Sequence, residues 1–390
     1  MALGLIVIYA IGPMRANVLN STYGTNYGAN DFFFGQLRSV GISLVMFFLA
    51  FKVVPYKYIR KFAKPIIIIA ILLSGLLWIL ALSGSSLAKC ELGECRWYNL
   101  GPVSFQPAEL LKLALVIYLA DFLARKREEG TIGKGVEFWV PLVIVCGLSL
   151  LLVVVGQGDL GTGVALMAII FGMLLLSGLS MKQYIIMLVI VLVTAVGAIA
   201  TSSHRMQRIN AWLDTISGSA SNDSTYHIEN AMLAIGTGGF FGVGIGNSVQ
   251  ATGYLPESIN DSVFAIMGET FGFIGLFLIL LVFGAMLFRM LSVADHTKPT
   301  DERLFIIGVF SWVLAQVAVN IMAMTGLVPV TGITLPLLSY GGTSMMFISF
   351  AIGLVLQLSC YTSREVIEDE NISSRRGVRG THYSSRRRRA

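Results

Sequence analysis

The stretch "YLPESINDSVFAIMGE", residues 254–269, sets Glu257, Asp261 and Glu269 against an apolar run. A carboxylate in such surroundings is costly to ionise, so it is either paired or kept for proton transfer. Pro256 suits the first turn of a helix, which would place Glu257 and Asp261, four apart, on one face. The positive end of that helix favours ionised Asp261 and desolvation opposes it, a balance that suits a general base. Glu269 would then lie ~12 Å deeper along the helix, where an ionisable group is a functional candidate. The plainer alternatives are an acidic helix start at an interface and a buried ion pair.

Four other stretches carry chemistry-bearing side chains. In "RWYNLGPVSFQPAELLKLA" (96–114), Glu109 and Lys112 stand three apart on a helix opening near Pro107. That spacing favours a structural ion pair over a catalytic one. Arg96 and Trp97 precede it, as interface anchors or as grips on a phosphate and a sugar face. "GQGDLGTG" (156–163) puts Asp159 in a turn, where it caps the following helix. "HRMQRINAW" (204–212) offers Arg205 and Arg208 for bidentate phosphate contacts. "TGLVPVTGITLPLLSYGGTS" (325–344) is dense in Pro and Gly, and such backbone at membrane depth must line a cavity or be buried in protein. The glycines of "GTGGFFGVGIGNS" (236–248) read as close packing and re-entrant turns rather than as a phosphate cradle. No spacing of His, Cys or clustered Asp points to a tightly held metal, and no Ser–His–Asp arrangement can be assembled.

The elements that must position these groups are membrane helices. Of 390 residues, 55% are hydrophobic and 13% charged, with a mean hydropathy of +0.76. That charge fraction is about half that of a soluble domain. The expected fold is therefore an all-α polytopic membrane protein. Apolar windows predict about ten transmembrane helices, near 2–14, 34–54, 65–83, 107–124, 137–155, 161–179, 184–201, 262–290, 304–325 and 343–360. The basic segments 57–64, 125–130 and 288–303, Lys182 and the tail then share one side, which the positive-inside rule makes cytoplasmic, with both termini. The other side receives a long loop, 202–261, between helices 7 and 8; loops of that length usually carry function. Residues 1–360 form the transmembrane unit, and 361–390 read as a basic, disordered cytoplasmic tail with eight Arg against four acids. Nothing supports nucleic-acid binding. Cys90 and Cys95 are equally readable as a small disulfide or as two free thiols.

The quoted stretches carry a family likeness. "RWYNLGPVSFQPAELLKLALVIYLA", "QGDLGTG", "GVGIGNSVQATGYLPESINDSVFAIMGETFGFIG" and "TGLVPVTGITLPLLSYGGTS" resemble, in order and spacing, the SEDS family of shape, elongation, division and sporulation proteins. The segment "GNSVQ…YLPE" is more similar to its division branch than to its elongation branch. The chain departs from the family pattern at Gly158, Ala251, Ile259, Asn260, Ser262, Thr270 and His227, while Asp261 is kept. The opening "MALGLIVIYAIG" is similar to the middle of the family's first helix, so that helix is expected to be truncated.

The resemblance implies a peptidoglycan glycosyltransferase polymerising lipid II into β-1,4 strands during cell division, by an inverting mechanism at the outer face of the inner membrane. It makes Asp261 the catalytic base. It places substrate binding at Glu257 and Trp97, with Glu109, Lys112 and Asp159 as ion pair and support; the positive charge a leaving pyrophosphate needs adds Arg96, Arg205 and Arg208 as substrate-binding candidates, and depth in the bundle adds Glu269. It implies no tightly bound cofactor, only a loosely held divalent cation such as Mg²⁺. Expected partners are lipid II, undecaprenyl-pyrophosphate-linked glycan, a class B penicillin-binding protein and other divisome proteins. The alternatives are a lipid II flippase, for which no inverted repeat is evident, and a non-enzymatic division scaffold.

Overall fold

The structure, a computed structural model, describes residues 1–91, 94–101, 104–200, 203–217 and 225–361. Eight helices among these are long and apolar enough to cross a membrane. They are α1 (Ala2–Tyr23), α2 (Asp31–Phe48, continuing as a π-helical turn through Leu49–Val53), α4 (Ala63–Leu82), α6 (Val136–Leu150, with π-helical Leu151–Gly156), α7 (Leu160–Ser177), α11 (Val263–His296), α12 (Thr300–Met324) and α13 (Gly342–Tyr361). The short helix α3 (Tyr56–Lys61) leads into α4. The two remaining expected windows fall on α5 (Pro107–Glu128) and α8 (Met181–Ala200). α5 carries charge at both ends, and α8 is apolar from Tyr184 onward.

α5 is buried along nearly its whole length and packs against α4, α7 and α12. α12 in turn contacts α7 and α11. Around this centre, α4, α8 and α11 turn Leu72, Ile79, Val193, Val282 and Phe288 outward, the arrangement expected where the surroundings are lipid. The first helix runs through Pro13 to Tyr23, so the less apolar segment after residue 12 completes it.

Three features depart from the sequence reading. The expected loop 84–106 carries a three-stranded antiparallel sheet, β1 (Ala88–Glu91), β2 (Glu94–Asn99) and β3 (Ser104–Phe105), and of the two readings open for Cys90 and Cys95 the disulfide is the one formed. The expected loop 202–261 contains two helices, α9 (Ser203–Ser217) and α10 (Tyr226–Thr237). Both are too polar to register as apolar windows. α11 begins only at Val263, and its kink falls at Gly272, φ 65°, where a Cβ would run into the backbone of Phe240 and Gly242. The tail beyond Tyr361 lies outside the described residues.

Candidate active site

Asp261 stands in an irregular turn, not on a helix. Residues 253–262 form consecutive turns, and Glu257 is held at φ +48°, a backbone region that non-glycine residues enter only under constraint. This corrects the expectation that Glu257 and Asp261 share a helical face starting at Pro256. The turn persists because it is tied down on every side. Leu255 and Ile259, each 2% exposed, anchor it in the core. The Tyr340 N–H donates to the Ile259 carbonyl at 2.8 Å. Asn320, buried in α12, donates through Nδ2 to the carbonyls of Asp261 and Ile333, both at 2.7 Å. The proline-rich segment 326–341 thus serves as a buried brace for the turn, as irregular backbone at that depth must.

The two acids of the turn have different fates. Glu257 is partly exposed and paired with Arg15 of α1 at 2.9 Å, and Asn260 donates to its other oxygen. Asp261 is buried and has no cationic partner among the described residues. Burial, reinforced by the nearby charge of Glu257, pushes its carboxyl up to about 7. Its polar neighbour is Ser262, whose Oγ lies 3.5 Å from Asp261 Oδ1, 2.9 Å from the Pro256 carbonyl and 2.7 Å from His227 Nε2. Burial drives His227 down to about 4, so its imidazole is neutral at physiological pH. Asp261 therefore exchanges a proton near neutrality, as a general base requires.

Beside the turn lies a cationic cluster carried by β2 and α9. Arg96 bonds Glu94, its Nε lies 4.0 Å from Asp159, and its guanidinium approaches Gly332 of the brace. Arg208 reaches the same Glu94 at 3.8 Å and is near enough for its charge to act on His227. Trp97, half-buried, pairs across the hairpin with Lys89. Arg205 lies on α9, but its side chain is outside the described residues. Asp159 caps α7 as expected, accepting from the Thr162 N–H at 2.9 Å and from the Thr162 hydroxyl at 2.9 Å. Gln106 adds a 3.3 Å bond to it.

Three predicted site residues are structural. Glu109 and Lys112 form a buried pair at 2.7 Å, with Lys112 Nζ 5.1 Å over the Trp312 ring, so this lysine is not available to a substrate. Glu269 was expected to bind substrate, but its carboxylate accepts from the Ser248 hydroxyl and from the N–H groups of Val249 and Gln250. Those donors open a one-turn 3₁₀ helix, Gln250–Thr252, and leaving them buried without an acceptor would be costly. The sequence reading missed Arg15, Glu94, His227, Ser262 and Asn320. Arg15 left a signal there as an isolated charge between apolar stretches, and His227 and Ser262 stood out only as departures from the family pattern.

The chain belongs to the cell cycle protein family of FtsW, RodA and SpoVE, whose family model matches residues 1–364. It is 32% identical to the probable peptidoglycan glycosyltransferase FtsW of Haemophilus ducreyi over 360 residues, 91% of this chain and 87% of that one. It is 33% identical to stage V sporulation protein E of Bacillus subtilis over 376 residues, 93% of this chain and 94% of the other. Its fold is similar to a chain of a solved peptidoglycan synthase complex, with a TM-score of 0.67 at 24% identity over 92% of this chain and 97% of that one. It is also similar to the rod shape determining protein RodA of Thermus thermophilus, with a TM-score of 0.60 at 25% identity over 91% and 95%.

Proposed function

We propose that this protein is a peptidoglycan glycosyltransferase that polymerises lipid II during cell division. The observation that carries the proposal is Asp261, a buried carboxylate without a counterion among the described residues, poised near neutrality at the foot of α11. Asp261 takes the proton from the 4-hydroxyl of the acceptor GlcNAc as that oxygen attacks MurNAc C1 of the growing strand. The bond from C1 to undecaprenyl pyrophosphate breaks, and the departing oxygen keeps the electron pair. An α-linked donor becomes a β-1,4 product in this single displacement, by the logic of inverting glycosidases with a sugar hydroxyl in place of water.

Arg96 and Arg208 stand where they can stabilise the pyrophosphate, with Arg205 on the same helix as Arg208. Among the described residues no three or more His, Cys, Asp or Glu side chains come together. A divalent cation would arrive with the pyrophosphate. In this reading α5 and α8 also cross the bilayer. The turn at 253–262 then faces outward at the inner membrane, and both termini are cytoplasmic. A class B penicillin-binding protein and other divisome proteins act on or around the strand it makes.

The test is the fate of labelled lipid II with purified protein in liposomes. Longer glycan strands, lost on Asp261→Asn in a folded protein, support the enzyme. Transbilayer movement without polymerisation would replace it by a carrier, and neither outcome by a scaffold.

A further inference from the structure

The opposite end of the bundle holds a groove that this chemistry does not use. About 800 Å³ of space opens where α3 and the start of α4 meet the end of α5. Its walls carry Lys57, Arg60, Lys61, Lys64 and Arg125 against a single carboxylate, Asp121.

The two arginines are already balanced. Arg60 reaches Asp121 at 3.1 Å through Nε and Asp301, in the first turn of α12, at 3.0 Å through Nη1. Arg125 closes on the other Asp121 oxygen at 2.6 Å. This fork fixes the floor of the groove and ties α3 to α5 and α12. The three lysines make no such contact. Lys57 and Lys61 stand four apart on one face of α3, Lys64 follows in the first turn of α4, and all three are exposed without an ion-pair partner among the described residues. Three like charges held this close repel one another and destabilise the short helix unless an anion sits among them. Tyr58, 61% exposed, adds a ring and a hydroxyl to the rim, and Pro55 and Pro65 close its ends.

The groove lies where spanning helices end, at the depth of lipid headgroups. Basic pockets between membrane helices at that level take phosphate-bearing headgroups. We propose that Lys57, Lys61 and Lys64 form a binding site for the headgroup of an anionic phospholipid, with its phosphate among the three ammonium groups and its acyl chains running along α4. The site is independent of the proposed transferase activity.

The experiment uses the full chain purified in detergent and titrated with phosphatidylglycerol or phosphatidylcholine, with retained lipid counted by native mass spectrometry. Phosphatidylglycerol should be retained and phosphatidylcholine not. The triple variant Lys57→Gln/Lys61→Gln/Lys64→Gln should bind it roughly a hundredfold more weakly, about fivefold per cation removed. Lys134→Gln removes an exposed charge outside the groove and should change nothing. Equal retention of the two lipids, an unchanged triple variant, or an equal loss with Lys134→Gln would each overturn the proposal. Inorganic phosphate at millimolar concentration is the second arm. If it displaces the lipid completely, the site recognises free phosphate rather than a headgroup. If lipid is retained only after residues 362–390 are removed, the groove belongs to the chain's own acidic segment, Glu365 to Glu370, and the lipid assignment fails.

Discussion

Glu109 and Asp261 are both buried carboxylates in this bundle, and they have opposite surroundings. Glu109 lies on a regular helix with its counterion three residues away, and that ammonium is packed against Trp312. Asp261 lies in a turn that is not helical, and Arg15, which reaches that turn, is taken by Glu257. One arrangement is complete in itself and has no capacity left for a substrate. The other keeps its charge unbalanced, and the surrounding turn, fastened by Asn320 and Tyr340, prevents it from relaxing toward a partner. Glu269 adds a third outcome, a carboxylate satisfied by backbone N–H groups. In a membrane bundle, a buried acid therefore marks chemistry only where its partners are missing.

The largest effect expected from breaking this contrast is at Asp261. Asp261→Asn should lower lipid II polymerisation by about 10²–10⁴-fold, the range of a lost general base, in a protein that still inserts and folds. The same variant should be more heat-stable than the parent at about pH 8. The carboxyl titrates at about 7 when folded and 3.8 when free, so the folded state binds the extra proton between those values. Stability therefore falls as pH rises through that window, and Asn removes the loss. The two melting curves should converge below about pH 4, which a pH series of thermal unfolding checks.

At the paired site the prediction reverses. Lys112→Met leaves Glu109 buried and alone, and should cost about 3–5 kcal/mol of stability, whereas Glu109→Gln/Lys112→Met should recover most of it. Equal losses in the single and double variants would show that the pair is not what holds α5. A smaller effect is expected at Gly272→Ala, about 1–3 kcal/mol by thermal unfolding, because the kink needs φ 65° and has no room for a methyl group. The smallest is Asp159→Ala, about 1 kcal/mol for a lost helix cap.

Much of this was legible in the residues. The apolar windows fall on helices, Pro107 opens α5, Asp159 caps α7, and the spacing of Glu109 and Lys112 foretells their pair. What could not be read depends on contacts distant in the chain. Pro256 signals a helix start, but the turn wins because Asn320, Tyr340 and the buried Leu255 and Ile259 stabilise it. Glu257 looked like the second acid of a helical face, and its partner Arg15 is 242 residues away. Glu269 looked functional by depth alone, and only the folded loop brings it the N–H groups of Val249 and Gln250.

The most direct test of the unpaired base is the pH dependence of lipid II polymerisation by the parent and by Glu257→Gln. The parent rate should fall as pH drops through about 7, where Asp261 takes up its proton. Removing the Glu257 charge, which helps raise that value, should move the acid limb lower by a few tenths to about one pH unit. A parent rate that stays level from about pH 8 to about pH 5, or an acid limb that survives in Asp261→Asn, would contradict the account.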